Sequence, residues 1–193
     1  MKKQILILMA VFAFSFNANA LFELRAGYGV NTPAESDADL QGGGAVGLST
    51  MAGFNLDALF QPPVIPFGFG IRYENMGMDV SQTADPDLSS DLTRISAIIN
   101  YRFIEAFLYV GVIGTIGITN DLSIDTPGGE LEYDADLTYS VGGEAGFSFG
   151  LFMVGAELGY SIATYKAKNI NASSLDEIDF GGIYAKALVG VGF

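Results

Sequence analysis

From Leu21 onward apolar side chains recur at every second position, and this period of two constrains the fold more than any other feature of the chain. No window there shows the 3.6-residue spacing of an amphipathic helix. No apolar run reaches the ~18 residues that a membrane-spanning helix needs. Strands are expected at 21–31, 43–57, 67–78, 92–103, 107–119, 136–149, 151–165 and 180–193. In the last of them Ile183, Ala185, Ala187, Val189, Val191 and Phe193 share one face, and Tyr184, Lys186, Leu188, Gly190 and Gly192 the other. In the seventh, Phe152, Val154, Ala156, Leu158, Tyr160 and Ile162 oppose Met153, Gly155, Glu157, Gly159 and Ser161. A soluble barrel with an apolar centre would alternate in the same way. The glycines bear on the choice, because they crowd the polar face with Ser, Arg and Glu, as the narrow lumen of eight strands demands. A solvated surface would carry Lys, Thr and Gln instead. The fold class expected is all-β, an eight-stranded antiparallel up-and-down transmembrane β-barrel.

The connections alternate in character. Thr32 to Gly42, Asp79 to Asp91, Asn120 to Ala135 and Lys166 to Asp179 are long and acidic, whereas Ile104 to Ala106 and Gly150 mark tight turns. Long loops at one end and short turns at the other are the mark of an outer-membrane barrel, with odd strands rising from the periplasm. The connection Ala58 to Pro66, with Pro62, Pro63 and Pro66, departs from this pattern and has no functional reading.

Residues 1–20 read as an address. Lys2 and Lys3 precede a stretch from Ile5 to Phe16 that is apolar apart from Ser15, and Ala18-Asn19-Ala20 is an A-x-A cleavage site. The expected domains are a signal peptide at 1–20 and a barrel at 21–193, with no separate periplasmic domain. No cysteine follows the cleavage site, so a lipoprotein is not expected.

Composition excludes several chemistries. With no histidine and no cysteine, the chain can build no disulfide framework, no Cys- or His-based metal site and no Ser-His-Asp triad. Its 22 acids against 9 bases argue against nucleic acid as a partner.

Aromatic residues test the orientation. Phe22, Phe54, Phe67, Phe69, Phe103, Phe147, Phe149, Phe152 and Phe193 fall on the apolar parity at the expected periplasmic ends, and Tyr28, Tyr73, Tyr139 and Tyr160 toward the loop ends. Two aromatic rings flanking an aliphatic band suit the two lipid–water interfaces.

The leader, the eight alternating segments and the terminal Gly190-Val191-Gly192-Phe193 resemble the small outer-membrane β-barrel proteins of Gram-negative bacteria (OmpA-, OmpX- and OmpW-like). The resemblance is one of architecture and terminus, with no motif of a particular subfamily. It implies residence in the outer membrane among lipid and lipopolysaccharide. It also implies that the outer-membrane assembly machinery reads the last strand, where Val189, Val191 and Phe193 match the family's pattern. Functions in this family run from anchoring and adhesion to small-pore conduction and lipid enzymes, so fold alone selects none.

The inward parity carries Glu23, Arg25, Arg72, Glu74, Arg94, Arg102, Glu144, Glu157 and Lys186. Five bases against four acids in a narrow lumen read as mutual pairing, because an unpaired buried charge is costly. A plug around Arg25, Arg72, Glu144, Glu157 and Lys186 is expected to close the bore. The alternative is separate solvated charges along a water-filled path.

The long connections, together with Asp136 at the edge of the sixth strand, hold 16 of the 22 acids. Divalent cations are a possible partner there, directly or shared with lipopolysaccharide phosphates, and the candidate ligands are Asp121, Asp125, Glu130 and Glu132. An EF-hand needs glycine where Thr126 stands, with Pro127 next, so that motif is not supported. Hydration of the cell surface is the plainer role. No cofactor is implied. Enzymes of the resembled family use a histidine, which this chain lacks, and acid pairs such as Asp85 with Asp87 are better read as solvated charges. Two non-enzymatic functions stay open: a structural or surface-interaction barrel, and a transport barrel for small solutes or for apolar ligands leaving laterally. Met76, Met78 and Tyr184 would line an upper vestibule in the second case.

Overall fold

A computed structural model describes residues 21–34, 37–40, 44–47, 50–62, 65–80, 88–126, 129–167, 177–179 and 181–193. Eight long strands among them form the wall: β1 Phe22–Pro33, β2 Met51–Phe60, β3 Phe67–Val80, β4 Leu88–Glu105, β5 Leu108–Thr126, β6 Gly129–Phe149, β7 Phe152–Ala167 and β8 Gly182–Gly192. Each pairs antiparallel with the next, and β8 returns to β1 along an unbroken register from Glu23↔Gly192 to Pro33↔Gly182, which closes the barrel. At the lower end Phe22 and Phe193 exchange two backbone hydrogen bonds of 2.9 Å.

The pleat sends alternate residues to opposite faces, and the apolar set points out. Val141 is 63% exposed and Leu158 62%, whereas Arg72 is 0% and Glu144 1% exposed. This inverts a soluble protein. Leaving each large outward aliphatic in water would forgo roughly 1.5–3 kcal/mol, so the solvent of this face is lipid and the chain is a transmembrane barrel. Inside, Leu59, Ile98 and Ile113 form a small apolar cluster beside the charged groups.

The strands outrun their expected limits. Asn120 to Ala135, read as a loop, is mostly ladder: β5 and β6 pair from Asp121↔Asp134 to Thr126↔Gly129. The reason is that alternation persists there as Leu122, Ile124, Leu131 and Tyr133 between acids, so a wall that is already paired keeps propagating. Glu177–Asp179 likewise pairs with β7. The second strand, expected from 43, starts at Met51, and Gly44–Gly47 pairs instead with Asp37–Leu40 as a separate ribbon.

The turns follow local chemistry. Gly150 has φ +66, a conformation that suits glycine, and with Leu151 it joins the paired residues Phe149 and Phe152. The proline-bearing connection begins later than expected, since β2 runs to Phe60. Its first residue, Gln61, is drawn under the barrel by a 2.8 Å bond from its backbone N–H to Leu21 O, and Pro66 O accepts the Arg102 N–H at 3.1 Å.

Every aromatic residue expected to form a girdle is exposed on the outer face. One height is corrected. Phe54, expected at the lower end, pairs with Tyr28, and its ring lies 6.0 Å from that of Tyr73, which puts it in the upper set. Phe60 and Phe107, not anticipated, join the lower set: Phe60 lies 5.3 Å from Phe22, and Phe107 5.0 Å from Phe149.

Candidate functional site

The inward faces of seven of the eight strands, all but β5, supply ten buried charged side chains among the described residues: Arg25, Arg72, Arg94, Arg102 and Lys186 against Glu23, Asp57, Glu74, Glu144 and Glu157. Five cations meet five anions. Most sit at an inward position between outward apolar neighbours, as Arg72 does between Ile71 and Tyr73, while Glu74 and Arg94 each have one polar neighbour, Asn75 and Thr93.

In the lowest tier Arg102 donates from Nη1 and Nη2 to the two carboxylate oxygens of Glu23, at 2.5 and 2.8 Å, and from Nε to Glu144 Oε1 at 2.9 Å. Gln61 Nε2 donates to Asn100 Oδ1 at 3.2 Å, and Asn100 Nδ2 donates to Glu144 Oε1 at 2.8 Å. The connection that lacked a functional reading thus supplies one end of a polar relay. Arg102 also lies 4.5 Å from the Tyr109 ring centroid, a cation–π distance. At the rim Glu105 reaches Arg102 at 3.3 Å.

The middle tier is built on Asp57. It accepts from Arg72 Nε at 2.7 Å, Arg72 Nη2 at 2.9 Å, Arg25 Nε at 3.2 Å and Asn55 Nδ2 at 2.9 Å. Arg25 links this tier to Glu144 at 2.7 Å. Arg72 continues to Glu157 with bonds of 3.0 and 2.7 Å. The upper tier is Glu74, held by Arg94 Nε at 2.7 Å and by Lys186 Nζ.

The nine charged residues expected inside are therefore all buried there, and they meet as two linked groups. Two details differ from the sequence reading. Lys186 is paired in register with Glu157 but gives its ammonium to Glu74. Asp57 is not among the expected lumen charges because the strand expected at 43–57 ends on it. Its signal was the alternation Leu56-Asp57-Ala58-Leu59-Phe60, which carries the strand two residues beyond Ala58 and sets Asp57 inward.

Above the charges the bore is occupied by Met51, Met76, Leu92, Leu122, Tyr133, Tyr165 and Tyr184, each buried. Of the vestibule residues Met76 and Tyr184 are thus packed, and the Met78 side chain lies outside the described residues. Polar pairs complete the packing, with Thr115 and Ser140 hydroxyls 2.7 Å apart and Asn31 Nδ2 donating to Ser161 Oγ at 3.1 Å.

The cation candidates are on the wall. Asp121 pairs with Asp134, Ser123 with Glu132 and Asp125 with Glu130. Extended antiparallel strands cannot wrap the positions of an EF-hand around one ion. No group of three or more acids among the described residues is arranged to hold a metal. The signal peptide expected at 1–20 and Glu35, Asp85, Asp87 and Asp176 lie outside the described residues, as do the side chains of Asp125 and Glu130.

With this geometry in place, the barrel can be set beside solved structures. It matches Neisserial surface protein A at a TM-score of 0.57 and 15% identity, over 89% of this chain and 97% of that one. It matches the outer membrane protein OprG from Pseudomonas aeruginosa at a TM-score of 0.56 and 12% identity, over 89% and 95%. The fold is that of the small outer-membrane β-barrels. No family model and no curated protein matches the sequence.

Proposed function

We propose that this chain is an outer-membrane barrel with a structural or surface-interaction role, whose lumen is shut by its own side chains and whose acidic connections face the cell exterior. The observation that carries this reading is the ion pair from Arg72 on β3 to Glu157 on β7, strands half a barrel apart, at 2.7 Å. Fixed partners replace water around each buried charge, so the ten groups bind one another and leave none to recruit a solute. The apolar and tyrosine side chains stacked above fill the rest of the bore. Transport of small solutes or apolar ligands is correspondingly disfavoured. With no histidine to serve as a base, no enzymatic role is proposed.

The remaining parts fit one design. A cleaved leader delivers the chain, the assembly machinery reads Val189, Val191 and Phe193, and the aromatic residues settle at the two interfaces with lipid and lipopolysaccharide. Divalent cations at the acidic connections would be shared with lipopolysaccharide rather than caged by one loop. The test is a planar-bilayer recording on refolded protein. A closed lumen gives no steady current at moderate voltage, and sustained conductance defeats the reading.

A further inference from the structure

The wall changes which parity it turns outward partway up, and two opposed bulges mark the place. On β5 the residues facing out are Val112, Ile116 and Ile118, all exposed, yet Leu122, in phase with them by sequence, is buried to 2%. The parity has slipped by one. Ile95 pairs with Thr119 but Ser96 with Gly117, so Ile118 is the extra residue. The same occurs on β6, where Leu137, Tyr139 and Val141 face out and Tyr133 is buried to 2%. There Ala135 pairs with Tyr165 but Leu137 with Thr164, leaving Asp136 as the extra residue. The two bulges face each other across a break in the β5–β6 ladder between Ile116↔Tyr139 and Asp121↔Asp134, which the side-chain bond from Thr138 Oγ1 to Asn120 Oδ1, 2.8 Å, spans on the inside.

Each bulge moves a parity that is apolar but for Asn120 from the outer face to the inner one. Above them Asp121 and Glu132 face out and Leu122 and Tyr133 face in, the arrangement of a wall standing in water. Neighbouring strands change at the same height. Thr93, bonded to Asn75 at 3.2 Å, succeeds Ile95 on the outer face of β4, with Leu92 inside, and Lys166 is exposed on β7 with Tyr165 inside. The ladder aligns Asn75, Thr93, Asp121, Asp134 and Lys166 in one row across five strands.

We propose that this row is the upper limit of the acyl-chain zone on β3 to β7, and that the bulges at Ile118 and Asp136 are the device by which the wall crosses it. Below the row the partner is lipid tails. Above it the strands stand clear of the tails in the aqueous and headgroup layer.

The proposal rests on the membrane-spanning reading, and one experiment separates the two. The natural chain has no cysteine, so single variants I95C, I118C and L137C below the row and T93C, D121C and K166C in it can each carry an environment-sensitive fluorophore. V141C and L158C serve as controls deep in the belt. Each is refolded in phosphatidylcholine vesicles, and heat-dependent gel mobility selects the folded protein. A lipid carrying a quencher on its acyl chain is expected to dim labels at 95, 118, 137, 141 and 158. Aqueous iodide is expected to dim those at 93, 121 and 166. Acyl-chain quenching at 93 and 121 as strong as at 95 and 118 overturns the boundary while leaving the barrel in its membrane. Iodide reaching 141 and 158 overturns the membrane reading itself.

Discussion

Arg72 and Glu157 reach each other across the bore, from strands on opposite sides of the barrel, through two hydrogen bonds of 3.0 and 2.7 Å. The same guanidinium grips Asp57 at 2.7 and 2.9 Å. One side chain thus ties β2, β3 and β7 together where nothing of the backbone spans the lumen.

Replacing Arg72 by Met removes the cation and leaves Glu157 and part of Asp57 uncompensated. Loss of one partner from a buried pair costs about 3–5 kcal/mol, so urea unfolding in lipid vesicles is expected to show a loss of that size. The double variant R72M/E157L removes both charges and is expected to recover part of it. Equal losses in the single and double variants would show the pair to be uncoupled.

Asp57→Asn keeps the shape and removes the anion shared by Arg25 and Arg72. The expected result is destabilisation comparable to R72M, accompanied by brief current openings in a bilayer recording, because two neighbouring guanidiniums then repel across a less filled bore. A silent and fully stable D57N would contradict the central place given to this carboxylate.

Gly155 and its ladder partner Gly146 leave room for the Tyr109 ring, whose hydroxyl lies where a Cβ on either would fall. Gly155→Ala is expected to lower stability by about 1–3 kcal/mol, the usual cost of overpacking. Tyr109→Phe in the same chain removes the clashing oxygen and is expected to restore part of the loss, but not all, since Ala145 O would also stand 2.8 Å from the new methyl. Equilibrium unfolding of the three variants checks the order.

Leu158 faces lipid at the middle of β7, beside Gly143 and Ala185. Leu158→Arg is expected to cost about 2–4 kcal/mol, as cationic substitutions do at a barrel's lipid midplane. Glu132→Arg, above the bulges, is expected to cost less than 1 kcal/mol. Similar penalties at the two sites would mean that they share one solvent.

Much of this molecule is legible in one dimension. A period of two, with glycine and charge on one parity and aliphatic and aromatic residues on the other, specifies strands whose apolar face needs a partner other than the lumen. The inward assignment of nine charges follows from parity alone, because a pleated strand has only two faces. Their partners do not follow. Lys186 gives its ammonium to Glu74 rather than to its ladder neighbour Glu157 because pairing inside a closed barrel depends on stagger and on reach across the bore. Asp57 escaped because one residue at a strand end changes meaning with the strand's length. The row where Leu122 and Tyr133 turn inward was equally hidden, since a bulge adds a residue without altering the alternation that precedes it. Sequence by itself determined which side chains lie on which parity, a matter of local backbone geometry. Tertiary structure decided which charges meet and where the wall leaves the lipid, because both depend on how eight strands register once the sheet has closed on itself.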